Sequence, residues 1–325
     1  MNRSVIIGTG SCLPERVLTN VDLEKMVDTS DEWITSRTGI KERRIAGTGE
    51  ETSKLAASAA LKALTMAGVE AVDVDIIIVG TITCEKNMPS CACLVQKEIG
   101  AKGAFALDVN AACSGFLYGL DIADKYIRSN PELKVLVIGA ENLSARINWE
   151  DRNTCVLFGD GAGACLLTGA DDGRGMLASR LFSDGDLWRL LHMDSAPSLN
   201  PALKYAKSDG AYIQMVGRDV FRYAVRAMGD AITKVLDQEG ISFEDIGLIV
   251  PHQANIRILR SLADHLGLPL GKFYINVDKY GNTSAATVPI AIDEANRQGR
   301  LKEGELLLIC TFGGGFTWGA AIIKW

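Results

Sequence analysis

The sequence predicts an α/β protein that is assembled from two similar halves. Short β-branched runs alternate with longer segments of helical periodicity along the whole chain. The order of these segments repeats after roughly 170 residues, which indicates a duplicated unit. We expect one half at residues 1–172 and the other at residues 173–325, with the junction near Asp171.

The first half shows the alternation clearly. Its predicted strands are the apolar runs at 5–7, 75–79, 104–109 and 135–138, and an Ala- and Leu-rich helix is predicted at 53–67. The helix predicted at 113–127 has one apolar face, made by Phe116, Leu117, Leu120, Ala123 and Ile127. Strands as apolar as these are typical of a sheet that is buried under helices on both faces.

The second half repeats this order. The matching segments are 218–238 with 53–67, 246–250 with 75–79, 273–278 with 105–110, 306–310 with 135–139, and 312–315 with 158–161. Polar residues of both halves then fall at the carboxyl ends of equivalent strands. Open α/β sheets place their ligands at such strand ends, so we expect one shared site there.

Composition and charge argue against several classes of protein. The 325 residues carry a formal net charge of −6, whereas nucleic-acid binding needs a basic footprint. The apolar runs are shorter than the roughly 20 residues of a membrane-spanning helix, and no signal-peptide segment opens the chain. Eight cysteines lie mostly in apolar surroundings, and Cys91 and Cys93 have no second cluster to complete a metal site. We expect a reduced cytoplasmic protein without a metal.

Cys113 is the candidate nucleophile of the first half. It follows Asn110-Ala-Ala and precedes Ser114-Gly115 at the start of the predicted amphipathic helix. The positive end of a helix dipole and free backbone N–H groups favour a thiolate at such a place. Taken alone, a cysteine in an apolar strand-to-helix segment is more often a small buried hydrophobic residue.

His252 and Asn282 are the candidate polar partners in the second half. His252 follows an apolar strand in Pro251-His-Gln-Ala-Asn255, and Asn282 lies in a Gly-Asn turn between a strand and a helix. Each alone is commonly a cap or a simple turn. Their position at strand ends that match the Cys113 segment favours covalent acyl transfer, with the thiol as nucleophile and His and Asn polarising a carbonyl.

These segments together resemble β-ketoacyl-acyl-carrier-protein synthase III, a condensing enzyme of the thiolase fold. The resemblance covers essentially the whole chain. It is carried by residues 31–40 (DEWITSRTGI), the Cys113 segment, and residues 158–163 (FGDGAG), 251–255 (PHQAN), 281–284 (GNTS) and 312–319 (FGGGFTWG). It implies a thiolase-like fold in which the two halves form α-β-α-β-α layers.

The resemblance also implies the chemistry. Cys113 would take an acyl group from a primer acyl-CoA, and the backbone N–H groups of Cys113 and Gly314 would form the oxyanion hole. His252 and Asn282 would bind the carbonyl of a malonyl thioester as carbon dioxide leaves. The resulting enolate would attack the acyl-cysteine, so that the reaction needs neither a metal nor a redox cofactor.

Further residues match family positions that contact the substrates. The resemblance implies that Trp33 and Arg152 sandwich the CoA adenine, with Arg37 near the phosphates. It places four residues along the pantetheine tunnel, namely Gly217, Phe221, Ala254 and Asn255. The acidic acyl-carrier protein needs a basic patch on this acidic enzyme, and Arg222 and Arg257 match the family's docking positions.

Met88 and Phe158 match positions at the acyl pocket, and Met88 leaves the primer open. Many relatives carry Phe where this chain has Met88, on a loop that in the family reaches across a homodimer interface to close the partner's pocket. Methionine is flexible, so an acetyl group, a short branched acyl group and a longer one all remain possible primers.

Several alternatives remain at this stage. The first is a condensing enzyme of specialised metabolism with another primer or with malonyl-CoA as extender. A thiolase would need a second cysteine as base, which the Gly-Asn-Thr-Ser turn does not supply. A hydroxymethylglutaryl-CoA synthase would need a glutamate near the thiol, and we find no matching one. A catalytically idle acyl-CoA-binding subunit would not need Cys113, His252 and Asn282 together.

Overall fold

The structure is a computed structural model that describes residues 2–200, 202 and 212–325. Its strands are β1 (Arg3–Cys12), β2 (Val17–Thr19), β3 (Glu42–Arg44), β4 (Ile76–Gly80), β5 (Phe105–Val109), β6 (Val135–Asn142), β7 (Asp160–Ala170), β8 (Gly175–Ser183), β9 (Leu191–Met193), β10 (Ile213–Met215), β11 (Ile246–Pro251), β12 (Leu306–Gly313) and β13 (Thr317–Lys324). Its α-helices are α1 (Asn20–Leu23), α2 (Asp31–Thr38), α3 (Thr52–Ala67), α4 (Cys91–Ile99), α5 (Gly115–Ser129), α6 (Arg152–Cys155), α7 (Gly217–Glu239), α8 (Ile256–Leu266), α9 (Val277–Tyr280) and α10 (Thr287–Arg297).

Two sheets with the same strand order form the molecule. The first has the order β1-β7-β6-β4-β5, in which β4 is parallel to β5 and β6 while β7 is antiparallel to its neighbours. The second has the order β8-β13-β12-β11, with β11 parallel to β12. Phe273 pairs in parallel with Ile249 of β11, at the place that β5 occupies beside β4. The predicted duplication is therefore confirmed, whereas the bounds 1–172 and 173–325 stay a prediction.

The helices lie in three layers around the two sheets. Apolar side chains of α5 and α10, such as Leu120 and Ile292, share one buried cluster with residues of both sheets. Helices α3 and α4 cover the outer face of the first sheet, and α7 and α8 cover the outer face of the second. The predicted α-β-α-β-α layering is confirmed because α5 and α10 have an apolar face for each sheet. Among the described residues, no helix is both long and apolar enough to span a membrane.

Two local predictions are wrong in detail. The helix predicted from residue 113 begins at Gly115, and Cys113 lies on a preceding 3₁₀ turn, Ala112–Ser114. Strand β5 was predicted to be buried, yet Phe105 is 47% exposed. The reason is that β5 forms the edge of its sheet and pairs only with β4 among the described residues.

Candidate active site

A cavity of about 820 Å³ lies where the carboxyl ends of strands from both halves meet. Cys113 reaches it from the turn after β5, His252 from the end of β11, and Asn282 from the turn after α9. All three side chains predicted to carry the chemistry line this one cavity. Cys113 and His252 are more than a hundred residues apart in the sequence, and the duplicated topology brings them together.

The Cys113 thiol is enclosed by the protein. Its turn includes Ala112, whose φ of 45° is unusual for a residue with a side chain, and Cys113 itself is only 8% exposed. A Cβ at Gly313 would lie 2.7 Å from the Cys113 backbone nitrogen, so the approach of the two halves requires glycine there. Burial raises the pKa of the thiol to about 12. Loss of hydration thus opposes the thiolate that the nearby helix start was expected to favour.

His252 is held as a neutral imidazole. It is 3% exposed, and burial lowers its pKa to about 3. Its Nδ1 lies 2.7 Å from the Thr287 hydroxyl oxygen. That hydroxyl is also 2.9 Å from the Ser284 carbonyl oxygen, which already accepts the backbone N–H of Thr287. We assign the ring proton to Nε2, which is the tautomer in which the Thr287 hydroxyl donates to Nδ1 rather than to the Ser284 carbonyl oxygen.

Asn282 is oriented by its own turn. Its side-chain oxygen Oδ1 accepts the backbone N–H of Ser284 at 2.8 Å, which leaves the amide NH₂ group as the donor toward the cavity. Its backbone N–H donates to Leu157 O at 2.8 Å, and its carbonyl oxygen accepts from Gly159 N at 3.1 Å. These bonds fix Asn282 against the first half of the molecule.

Glu141 is a buried carboxyl beside the site that sequence reasoning missed. It lies near the end of β6 with no exposed surface, and burial raises its pKa to about 7. Its Oε1 accepts the Ser284 hydroxyl at 3.1 Å. The sequence offered no glutamate that matched the base of a hydroxymethylglutaryl-CoA synthase, yet Glu141 lies close enough to Cys113 to oppose ionisation of the thiol. The available signal was a carboxyl at the end of an otherwise apolar strand, which is rarely placed there without a role.

Gly139 explains how Glu141 and Ser284 meet. A Cβ at Gly139 would lie 2.1 Å from the carbonyl oxygen of Ala285, so only glycine lets the Ser284–Ala286 turn press against β6. Ser284 itself adopts a φ of 50°. Its backbone N–H orients Asn282, its carbonyl group contacts Thr287, and its hydroxyl contacts Glu141. Ser284 and Thr287 thus link the polar groups of the site; Ser284 lies in the 281–284 motif, but the sequence assigned no role to either residue.

Aromatic and cationic side chains gather at the mouth of the cavity. The guanidinium carbons of Arg37 and Arg152 each lie 5.0 Å from the centre of the Trp33 ring. Arg152 also donates to Asp28 O at 2.9 Å. A base stacked between Trp33 and Arg152 needs about 7 Å, two contacts of about 3.5 Å each. The predicted sandwich is therefore closed in this structure, and Arg152 must move away from Trp33 to admit an adenine.

The other predicted contact residues also lie along this cavity. Those that line it are Phe158, Gly217, Phe221, Ala254, Asn255, Arg257 and Gly314. Asn255 donates from Nδ2 to Arg37 O at 3.1 Å and caps α8 by accepting Arg257 N at 2.8 Å. Arg222 is exposed beside this mouth and pairs with Asp219 at 3.2 Å. Within the described ranges, no cluster of three His, Cys, Asp or Glu side chains is placed to hold a metal ion.

Comparison with known proteins identifies the family. A model of the 3-oxoacyl-[acyl-carrier-protein] synthase III family matches residues 107–185, and a model of the C-terminal part of the same family matches residues 236–325. The β-ketoacyl-[acyl-carrier-protein] synthase III of Desulfotalea psychrophila is 55% identical over 99% of both chains. The chain belongs to the β-ketoacyl-[acyl-carrier-protein] synthase III family.

Solved structures agree with this membership of the synthase III family. The 3-oxoacyl-[acyl-carrier-protein] synthase III from Aquifex aeolicus is 50% identical, with a TM-score of 0.92 over 99% of this chain and 100% of that one. The priming β-ketosynthase from the R1128 polyketide biosynthetic pathway is 33% identical, with a TM-score of 0.90 over 98% and 96%. This chain is thus an acyltransferase-type condensing enzyme of fatty acid synthesis.

Met88 does not reach the cavity of its own chain. It is 86% exposed on the segment between β4 and α4, and the cavity is lined without it. Phe158 is buried in the cavity wall. Of the two residues predicted for the acyl pocket, Phe158 lines the cavity of its own chain and Met88 does not.

Proposed function

We propose that Cys113 of this synthase carries the primer acyl group and that His252 and Asn282 bind the malonyl thioester. The observation that carries the proposal is that the thiol, the imidazole and the carboxamide line one buried cavity with an aromatic and cationic mouth. The substrates that family membership supports, acyl-CoA and malonyl-acyl-carrier protein, both deliver an acyl group on a long phosphopantetheine arm. A deep cavity with its reactive groups at the bottom suits such an arm.

In the first half-reaction the Cys113 sulfur attacks the acyl-CoA carbonyl carbon. A carbon–sulfur bond to Cys113 forms, the bond to the CoA sulfur breaks, and the thiol proton ends on the departing CoA. The carbonyl oxygen becomes negatively charged in between. We assign its stabilisation to the backbone N–H groups of Cys113 and Gly314, since a glycine leaves the approach unobstructed.

In the second half-reaction the malonyl thioester loses carbon dioxide. The electron pair of the broken carbon–carbon bond forms an enolate, whose oxygen accepts hydrogen bonds from His252 Nε2–H and the Asn282 amide. The enolate carbon attacks the acyl-cysteine carbonyl carbon, and the tetrahedral intermediate breaks its bond to sulfur and releases Cys113 as a thiolate. The thiolate takes up one proton from solvent, which restores the thiol and leaves the 3-oxoacyl product on the carrier protein. Because the departure of carbon dioxide supplies the carbanion, the proposed reaction uses neither a metal nor a redox cofactor.

Charged residues at the mouth support the remaining contacts of this proposal. Trp33, Arg37 and Arg152 combine an indole face with two guanidinium groups, which suits an adenine and its phosphates. Arg222 and Arg257 lie beside Phe221 at the same entrance and suit an acidic carrier protein. Both substrates belong to the cytoplasm, where eight free cysteines also stay reduced.

The test of the proposed function is acyl loading measured by intact mass. The wild-type enzyme is incubated with a panel of acetyl-, branched short-chain and longer acyl-CoA compounds. We expect a mass gain of one acyl group on the peptide that contains Cys113, and its loss when malonyl-acyl-carrier protein is added. No mass gain with any primer would contradict the proposal.

We propose that the enzyme is a homodimer that joins through the edge of the first sheet. Among the described residues, one edge of strand β5 has no partner strand, and the exposed aromatic residues Phe105 and Tyr126 lie beside it at a ring distance of 5.6 Å. Pairing of β5 with β5 of a second copy would cover this edge. We expect wild-type protein to elute as a dimer in light-scattering measurements and Phe105→Arg to elute as a monomer. If Phe105→Arg forms a dimer with the same affinity as wild type, this interface is excluded.

Met88 is expected to influence the choice of primer from across the dimer. Its segment follows β4, next to the proposed interface, and its side chain is exposed, so we infer that it reaches the partner's acyl pocket. Met88→Ala should increase loading by longer acyl-CoA relative to acetyl-CoA about tenfold, as expected for added space in an apolar pocket. Rates of acyl loading across the primer panel measure this ratio. Met26→Ala, a change of another exposed methionine, is the control that should keep the wild-type ratio.

A further inference from the structure

The Ser284 side chain lies close to both Glu141 and Cys113. Glu141 Oε1 accepts the Ser284 hydroxyl at 3.1 Å, and the turn that carries Ser284 packs against the turn that carries Cys113. Ser284 and Cys113 line the same cavity. We propose that Glu141 accepts the Cys113 proton during acyl loading, with the Ser284 hydroxyl as the relay between them. This inference rests on the proposed role of Cys113.

The surroundings of Glu141 favour a group that exchanges a proton. Its second oxygen, Oε2, accepts from Ile82 N at 3.2 Å, from Thr81 at 3.4 Å and from the Thr83 hydroxyl. No Lys, Arg or His of the described residues forms an ion pair with it. Burial without a neighbouring cation raises the pKa of Glu141 to about 7. Near neutral pH the charged and neutral forms of this carboxyl are therefore both populated. A purely structural acceptor of hydrogen bonds would not need to be ionisable.

The other titratable groups around the thiol are poorer acceptors. The pKa of His252 is about 3, and its Nδ1 is occupied by Thr287, so the imidazole does not retain a proton taken from a thiol of pKa about 12. The carboxyl of Asp160, on the strand beside β6, is directed to Ala46 N and to Ser144. Glu141 is thus the group facing Cys113 that best holds its proton.

The proposed step conserves every proton. The Cys113 hydrogen moves to Ser284 Oγ as the Ser284 hydrogen moves to Glu141, while the Cys113 sulfur bonds to the acyl carbonyl carbon. When the bond to the CoA sulfur breaks, the proton returns along the same path to the departing thiolate. Protonation of Glu141 also removes the negative charge that opposes ionisation of Cys113. The relay therefore stabilises the thiolate at the moment when it attacks.

The experiment compares acyl loading of wild type and Glu141→Gln against pH by rapid quenching and intact mass. Ionised Glu141 is the active form, so the wild-type rate should rise through pH about 7 and then level off. Glutamine retains an oxygen that accepts the Ser284 hydroxyl but takes no proton. Glu141→Gln should therefore load about a hundredfold more slowly and lose this inflection. Equal rates and the same inflection in both proteins would overturn the relay.

Two further variants separate the relay from a structural role. Ser284→Ala interrupts the path while Glu141 remains, and it should lose loading to a similar degree. Thr83→Val keeps the path but removes a hydrogen bond that lowers the pKa of Glu141, so the rise in rate should move to higher pH. An unmoved inflection in Thr83→Val would contradict the assignment to Glu141.

Malonyl decarboxylation and acyl-CoA binding are the controls for folding in Glu141→Gln. Both should stay near the wild-type level, since neither needs a base for Cys113. Equal losses of loading, decarboxylation and binding would show a structural role and overturn the relay. The proposed function has a separate test, because its failure appears as a wild-type enzyme that never loads.

Discussion

Replacement of Cys113 by alanine is expected to abolish acyl loading with every primer and to reduce condensation below detection. Among the described residues that line the cavity, Cys113 is the only cysteine. No other thiol there can attack the thioester carbonyl of a bound acyl-CoA. The loss should be complete, because the covalent intermediate needs a nucleophile and alanine offers none. Intact mass after incubation with acyl-CoA measures it. Cys93→Ala, a change of a half-buried cysteine on α4, is the matched control and should load like wild type.

Cys113→Ala should nevertheless retain malonyl decarboxylation. The hydrogen bonds that we assign to the enolate come from His252 and Asn282, and neither depends on the thiol. Release of carbon dioxide from malonyl-acyl-carrier protein is the measurement. Acyl loading by Cys113→Ala would show that a different residue is the nucleophile. Loss of decarboxylation together with loading would place the thiol in both half-reactions.

His252→Ala is expected to slow condensation about 10²- to 10³-fold while acyl loading remains. The reason is that the imidazole supplies one of two donors to the developing enolate, and removal of one such donor typically has an effect of this size. Single-turnover condensation of pre-loaded enzyme measures the step. His265→Ala changes an exposed histidine on α8 and should leave both steps unchanged. A variant that fails to load would instead place His252 in the first half-reaction.

Substitution of Thr287 and the pH dependence of decarboxylation test the same role of His252. Thr287→Val removes the hydroxyl that contacts His252 Nδ1, so decarboxylation should fall, and Thr287→Ser should restore it. The sign of the pH effect follows from burial, which lowers the pKa of His252 to about 3. The ring is therefore neutral at every pH above that value, and decarboxylation should show no inflection near pH 6.5. An inflection there that disappears in His252→Ala would contradict a neutral imidazole.

Much of the fold was predictable because its signals are local. Apolar runs of strand length and helical periodicity mark each element without reference to the rest of the chain. The repeat of their order indicated the duplication, and the two sheets indeed share one strand order. Strand β5 was assigned a buried position because an apolar edge strand and a central strand have the same composition. Only the arrangement of neighbouring strands distinguishes the two.

The reactive side chains of the site could be predicted from the sequence, but the residues that orient them by hydrogen bonds could not. Cys113, His252 and Asn282 were found since they lie in short motifs at equivalent strand ends. Ser284 lies in the same motif as Asn282 and Thr287 lies at a helix start, but their roles come from contacts with Glu141 and His252. Such contacts join residues from different halves and leave no periodic signal.

The sequence by itself determined the layered duplicated fold, the family and the three polar side chains that line the cavity. The tertiary structure alone decided their burial and the position of Glu141 beside them. It buries Cys113 and His252, which raises the pKa of the thiol and lowers that of the imidazole. The physical reason is that desolvation and hydrogen bonds across the two halves depend on packing in three dimensions, whereas strand and helix patterns are written along the chain.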